Sequence, residues 1–307
     1  MSVAAADWFA PAEIARLLPY VAGSLVAGAI LGILGGVIGP MIQSRDLAFA
    51  VHGTSELSFA GGAAALLLFG GATTGSGSTV VAAGSIVGSV IAAIVFGLLG
   101  SRARDRNSAI GVLLPFGLGL GVLFLALYQG RAANKFGLLI GQIVAVNGTQ
   151  LGLLVAVAVL VIAALAAIWR PLFFASVDPE VAVARGVPVR LLSVVFMLLL
   201  GLTVAMAVQV VGALLVLSLL ITPTAAAARV TASPVAVTVL SVLFAVVSAV
   251  GGIVLSLTPG LPISPFVTTL SFLIYLVCRA IGTVRARRGW SPRARSALTT
   301  TADAQQA

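Results

Sequence analysis

Charge is what this chain has least of: only 8% of its 307 residues are Asp, Glu, Lys or Arg, against about 25% in soluble domains. A chain so poor in charge cannot clothe a folded surface for water, which excludes the soluble, fibrous and disordered classes. Cysteine occurs once, at Cys278, so an intramolecular disulfide and a multi-cysteine metal cluster are both excluded. Cys278 itself reads as a small buried residue of the last helix. Lysine also occurs once, and Lys135 is followed by Phe136, so no GxxxxGK[ST] phosphate loop exists in the chain. GxGxxG and HExxH are missing as well. Glu56 is the one carboxylate inside an apolar run, which leaves no pair of carboxylates for acid–base catalysis. The chain is therefore expected not to be an enzyme by itself. Energy for uphill movement would come from an ion gradient or from another subunit.

Apolar residues make up 60% of the chain, and the mean hydropathy is +1.20. They lie in continuous runs rather than in a two-residue alternation, which favours membrane helices over a membrane barrel. The runs cover residues 17–42, 49–70, 76–100, 108–128, 151–169, 192–228, 235–258 and 263–281. The sixth holds 37 residues; as one helix it would span about 55 Å against a hydrocarbon core of about 30 Å. It must fold back, and the interruption Gln209 to Gly212 is the expected place. Two helices follow, about 193–209 and 212–228, either as full spans or as a re-entrant pair. The fold class is all-α: a polytopic transmembrane bundle of about nine helices.

With nine spans and the N-terminus outside, Arg45, Arg102, Arg104, Arg106, Arg170, Arg185, Arg190, Arg229, Arg279 and five tail arginines fall on the inner face. That is 14 of 17 basic residues, with Arg16, Arg131 and Lys135 left outside. The opposite topology inverts this ratio and contradicts the positive-inside rule. The tail arginines are Arg285, Arg287, Arg288, Arg293 and Arg295, a pattern that suits anionic lipid rather than nucleic acid. Residues 1–13 hold Asp7 and Glu13 and no basic residue, so no cleavable signal peptide is expected. The expected division is an N-terminal segment 1–16, a membrane domain 17–282 and a disordered basic tail 283–307.

Glycine is abundant, at 34 residues, and it recurs at helical intervals: Gly28, Gly32 and Gly36; Gly84 and Gly88; Gly117 and Gly121. Small residues at this spacing let helices approach closely in lipid.

Two segments carry chemistry. In VHGTSELSFAGG, residues 51–62, His52 and Glu56 lie four apart on one helix face. Ionisable residues at membrane depth are costly and face a partner or a cavity. An imidazole nitrogen beside a carboxylate oxygen suits a divalent cation, although a hydrogen-bonded pair serving packing alone has the same spacing. In SVDPEVAVARGVPV, residues 176–189, Asp178 caps a short helix, Pro179 opens it, Glu180 lies in its first turn, and Gly186 and Pro188 close it. Such a helix on the inner face is either a docking surface or an ordinary interfacial loop.

These residues resemble the permease subunit of the metal-ion class of ABC importers, those for zinc, manganese or iron, over about residues 20–282. In that family a D-P-E-x-A-x-x-x-G loop supplies the helix that docks into the ATPase subunit. Here it is Asp178, Pro179, Glu180, Ala182 and Gly186. The segment GALLVLSLLITPTAAAA, Gly212 to Ala228, is similar to the family signature G-x-L-L-x-x-x-L-L-x-x-P-x-x-x-A, with Pro223 in place. LLIGQIVAVN, residues 138–147, resembles its outer loop. The family's second span carries D-x-x-x-H, with glycine five residues on. Aligned on Gly61, His52 takes the Asp position and Glu56 the His position, so the ligand types are exchanged but the nitrogen-plus-oxygen pair survives.

The resemblance implies a type II ABC-importer-like permease, multi-pass in the cell membrane with a cytoplasmic C-terminus. His52 and Glu56 would meet a divalent metal ion in transit, zinc or manganese foremost, with no stably bound cofactor. Asp178, Pro179, Glu180, Ala182 and Gly186 would couple to separate ATPase subunits, and Gly212 and Pro223 would shape the broken, gating helices. The implied partners are ABC ATPases, a solute-binding protein or lipoprotein, a second copy of the permease as a homodimer, and membrane lipids. Two alternatives stand beside this: a permease for iron chelates or vitamin B12, and a proton-coupled secondary metal transporter.

Overall fold

The computed structural model describes residues 21–69, 77–99, 103–130, 148–257 and 263–287. Ten helices and no strand occur among them: α1 (Ala22–Ser44), α2 (Ala48–Phe69), α3 (Gly77–Leu99), α4 (Ala103–Leu127), α5 (Gly148–Val177), α6 (Pro179–Ala184), α7 (Val189–Val211), α8 (Ala213–Val230), α9 (Pro234–Ser256) and α10 (Ile263–Arg287). The N-terminal segment 1–16 and the outer loop 138–147 lie outside the described residues.

Seven of the helices stand out as long and apolar enough to cross a membrane, and α2 is not among them. α2 falls short in hydropathy, because its middle carries Thr54, Ser55, Glu56 and Ser58. α8, at 18 residues, is the shortest of the long helices. Both lie among other helices. α2 packs against α3, α4, α7 and α8, and α8 against α1, α9 and α10, so their polar atoms meet protein instead of lipid.

The 37-residue run does fold back. Gly212 ends α7 and opens α8 at φ +87°, a conformation that costs a residue with Cβ but not glycine. Near the turn, the Gln209 amide donates to the carbonyl of Ala82 at 3.2 Å. Ala82 lies in the second turn of α3, so α7 runs nearly the full length of its neighbour. α8 returns, and Gly282 near the end of α10 packs on the Arg229 carbonyl. The two halves are antiparallel helices, of 23 and 18 residues, or about 34 and 27 Å.

Pro223, by contrast, does not break its helix: α8 continues through it to Val230. Proline lacks the N–H that would bond the carbonyl four residues back, at Leu219. Gly35 of α1 packs on that carbonyl; a Cβ there would stand 3.1 Å from it.

The glycine ladders are helix contacts. Gly28 meets Ala249 and Ile253, Gly32 meets Val246, and Gly36 meets the backbone of Val242, joining α1 to α9. On α2, Gly61 meets Gly84 and Gly88 of α3, while Gly117 and Gly121 of α4 press on Leu57 and Phe59.

Two helices outrun their apolar segments. α5 does not stop at Arg170 but continues through Pro171 to Val177. At 30 residues it is about 45 Å long, some 15 Å more than the hydrocarbon core. α10 extends to Arg287, so residues 283–287 belong to a helix and not to a disordered tail. In both cases charge ends the hydrophobic run without ending the helix.

Candidate functional site

His52 and Glu56 lie one turn apart in the first three turns of α2, His52 Nδ1 standing 3.7 Å from Glu56 Oε1. That is ion-pair range and too long for a hydrogen bond. The Glu56 side chain is 3% exposed and that of His52 34%. His52 Nδ1 and Glu56 Oε2 are both buried and have no hydrogen-bond partner among the described residues. Buried polar atoms are nearly always paired; Ser85 Oγ and Ser248 Oγ share this state, but His52 and Glu56 bring two such atoms to one helix face.

The rest of α2 is well satisfied. Ser55 Oγ donates to the His52 carbonyl at 2.8 Å, Thr54 Oγ1 to that of Ala50 at 2.7 Å, and Ser58 Oγ across to Ser85 of α3 at 3.1 Å. Glycines bring the neighbours close: a Cβ on Gly117 would stand 3.3 Å from the Glu56 carbonyl carbon, and one on Gly53 3.0 Å from the Phe96 ring. Phe96 and Ile110 beneath Gly53 are fully buried. The pair thus rides on a helix held by backbone contact on two sides. No group of three or more His, Cys, Asp or Glu able to hold a metal occurs among the described residues.

The second feature is α6. Asp178 Oδ1 accepts from Val181 N at 3.0 Å, Pro179 occupies the first turn with Glu180, and Gly186 stands at φ +78°. Gly186 N donates to Val183 O at 2.9 Å and Val187 N to Ala182 O at 3.0 Å, the paired bonds of a Schellman stop. Ala182 is fully buried, and α6 packs against α5 and α7. Val177, Val181 and Val183 are exposed, with Glu180 and Arg185 beside them. Exposed valines on a charged loop are an apolar patch with a polar rim, the make-up of a protein contact.

The helix ends place Arg45, Arg185, Arg190, Arg229 and Arg285 at one end of the bundle. Arg45 bonds the end of α5 and the start of α7, while Arg285 Nη1 donates to the Val230 carbonyl at 3.3 Å. The sequence marked Arg45 only as one basic residue among many. Its contacts lie 127 to 148 residues away, a separation at which no local pattern signals a partner. Gln209 was legible as an interruption but not as a tie to α3. Thr224 of α8 and Ser241 of α9 share a buried hydrogen bond that sequence likewise gives no sign of.

A multi-pass helical bundle, with an ionisable pair on a central helix and a capped loop helix at its arginine-rich end, belongs to the class of membrane permeases. Residues 18–282 match the ABC 3 transport family, and the chain belongs to it. It is 30% identical to the manganese transport system membrane protein MntC of Halalkalibacterium halodurans over 238 residues, 77% of this chain and 78% of that protein. It is 25% identical to the high-affinity zinc uptake system membrane protein ZnuB of Haemophilus influenzae, over 83% of this chain and 94% of that one. In fold it is similar to PsaBC from Streptococcus pneumoniae, solved in complex with Fab. The TM-score there is 0.75 and the identity 24%, covering 88% of this chain and 95% of that chain.

Proposed function

We propose that this chain is the membrane permease of an ATP-driven importer of divalent metal ions, zinc or manganese. Its N-terminus lies outside and its arginine-rich end faces the cytoplasm. The observation that carries this reading is the pair His52 and Glu56, with its two buried, unpartnered atoms on a glycine-packed helix. Relatives named for manganese and zinc transport support the cargo.

The residues divide the work. A cation entering along α2 would exchange water for the His52 nitrogen and the Glu56 oxygens, a mixed donor set that suits borderline and hard divalent ions. Two ligands from one chain bind loosely enough for release, and a second copy facing the first would supply two more. Asp178, Pro179, Glu180, Ala182 and Gly186 build the rigid α6, whose valines dock on a separate ATPase subunit. The Gly212 turn and the proline-loosened Leu219 carbonyl give α7 and α8 two places to flex when access switches. A solute-binding protein would deliver the ion to the outer face.

The test is reconstitution with candidate ATPase subunits and a binding protein in liposomes. ATP-dependent uptake of manganese or zinc ions is expected, with none from the permease alone. Replacing His52 by Ala should cut uptake at least about tenfold, the scale of losing one metal-site contact, with ATPase binding preserved. Uptake by the isolated permease, or wild-type uptake in the variant, would sink the reading.

A further inference from the structure

Arg45 occupies the three-residue link between α1 and α2. Its Nε donates to Ser176 Oγ at 2.7 Å, its Nη1 to Ser193 Oγ at 3.2 Å and its Nη2 to the Leu172 carbonyl at 3.5 Å. Ser176 Oγ in turn donates to the same Leu172 carbonyl at 2.6 Å. The guanidinium carbon lies 5.6 Å from the centre of the Phe196 ring, which is fully buried. Leu172 and Ser176 belong to the end of α5, Ser193 and Phe196 to the start of α7. These are the two arms from which α6 hangs.

The link itself is stiff. Leu47 N donates back to Ile42 O at 2.9 Å, Asp46 stands at φ +52°, and Leu47 is buried. A push on Arg45 is therefore passed to the first turn of α2. His52 and Glu56 follow about 6 and 12 Å into that helix.

We propose that Arg45 is the positioning residue that couples the docking loop to the metal pathway: it clamps both arms of α6 and transmits their movement to the helix of His52 and Glu56. The inference rests on the proposed function, in that α6 must be where an ATPase binds. A fork of five N–H donors can hold three acceptors on two helices at once, and a lysine ammonium cannot hold them in that plane. Coupling should thus depend on the shape of the cation as well as on its charge.

The experiment compares variants of the full permease with its ATPase subunits and binding protein in liposomes, reading manganese or zinc ions moved per ATP hydrolysed. In Arg45→Gln the ATPase should still co-purify and hydrolyse ATP, while metal per ATP falls about tenfold, as loss of charge-assisted bonds predicts. Arg45→Lys should lie between. Ser176→Ala with Ser193→Ala should reproduce much of the fall with Arg45 in place, and adding Arg45→Gln to that pair should cost less than it does alone, because the three act as one unit. Wild-type metal per ATP in both the arginine and the serine variants, or effects that add, would overturn the proposal. Should Arg45→Gln fail to fold, the serine variant decides; if that also loses the ATPase, Arg45 is a structural tie and the proposal fails. A wild-type permease that recruits no ATPase would instead fail the proposed function, before any variant is compared.

Discussion

At the scale of single residues, Glu56 is the anomaly. A carboxylate buried at 3% exposure in a membrane helix is costly, by about 2.5–3.5 kcal/mol for a central acidic or basic residue on insertion scales. Nothing recovers that cost in the described structure: Oε2 has no hydrogen-bond partner and Oε1 only the His52 nitrogen at 3.7 Å. If Glu56 served folding, removing its charge would loosen the protein. If it serves an ion in passage, Glu56→Gln should leave the melting temperature of the purified permease unchanged or raised while metal uptake is lost. A thermal melt beside an uptake assay separates the two; full uptake with lowered stability would make the carboxylate a packing residue. The i,i+4 spacing, and with it a shared face, was legible in the sequence. That both buried atoms lack partners was not, because it depends on what α3 and α4 place, or fail to place, beside them.

At the scale of helices, small residues set the fit. The Gly61, Gly84 and Gly88 contact has no room for a methyl group: a Cβ on Gly88 would collide with the Leu57 carbonyl oxygen and stand 3.1 Å from Gly61 Cα. Gly152, on the exposed side of α5, has nothing within 4 Å. Gly88→Ala should therefore destabilise the permease by about 1–3 kcal/mol, as overpacking does. Gly152→Ala should be neutral or stabilising by up to about 1 kcal/mol through helix propensity. Melting temperatures in one detergent test the contrast, and equal shifts would refute the packing argument. The ladders themselves could be read from spacing, but their partners could not: Gly36 against Val242 and Gly88 against Leu57 are facts of assembly. Helix α6 is the opposite case. Its cap, proline start and glycine stop are all local, so sequence alone bounds it from Asp178 to Gly186 and the geometry agrees bond for bond. Pro223 shows the limit of such reading, since a residue that breaks helices by rule sits inside one here, its orphaned carbonyl covered by Gly35.

At the scale of the molecule, the distribution of charge orients the chain. Arginine-bearing helix ends gather with α6 on one face, and positive-inside bias makes the cytoplasmic side of the membrane the expectation for it. With Cys278 replaced by Ala, a single Val183→Cys should react with a membrane-impermeant maleimide in inside-out vesicles and not from outside intact cells. Val183 is 61% exposed in the permease, so in cells that lack the ATPase subunits access would reflect sidedness and not burial. Labelling from outside would invert the topology and move the proposed docking helix to the wrong side of the membrane.

Local chemistry along the chain was enough to fix the solvent and the class: apolar runs of bilayer length leave a helical bundle as the workable form, and the 37-residue run had to turn back on itself. It also determined α6, whose signals lie within a few residues of one another. Helix packing settled what local chemistry left open: α2, too polar to stand in lipid, is sheltered by α3, α4, α7 and α8. It likewise decided that Arg45 reaches Ser176 and Ser193. Propensity, hydropathy and capping act over a turn or two of chain. Which side chains meet across a hundred residues depends on how the helices pack, and no local pattern records that.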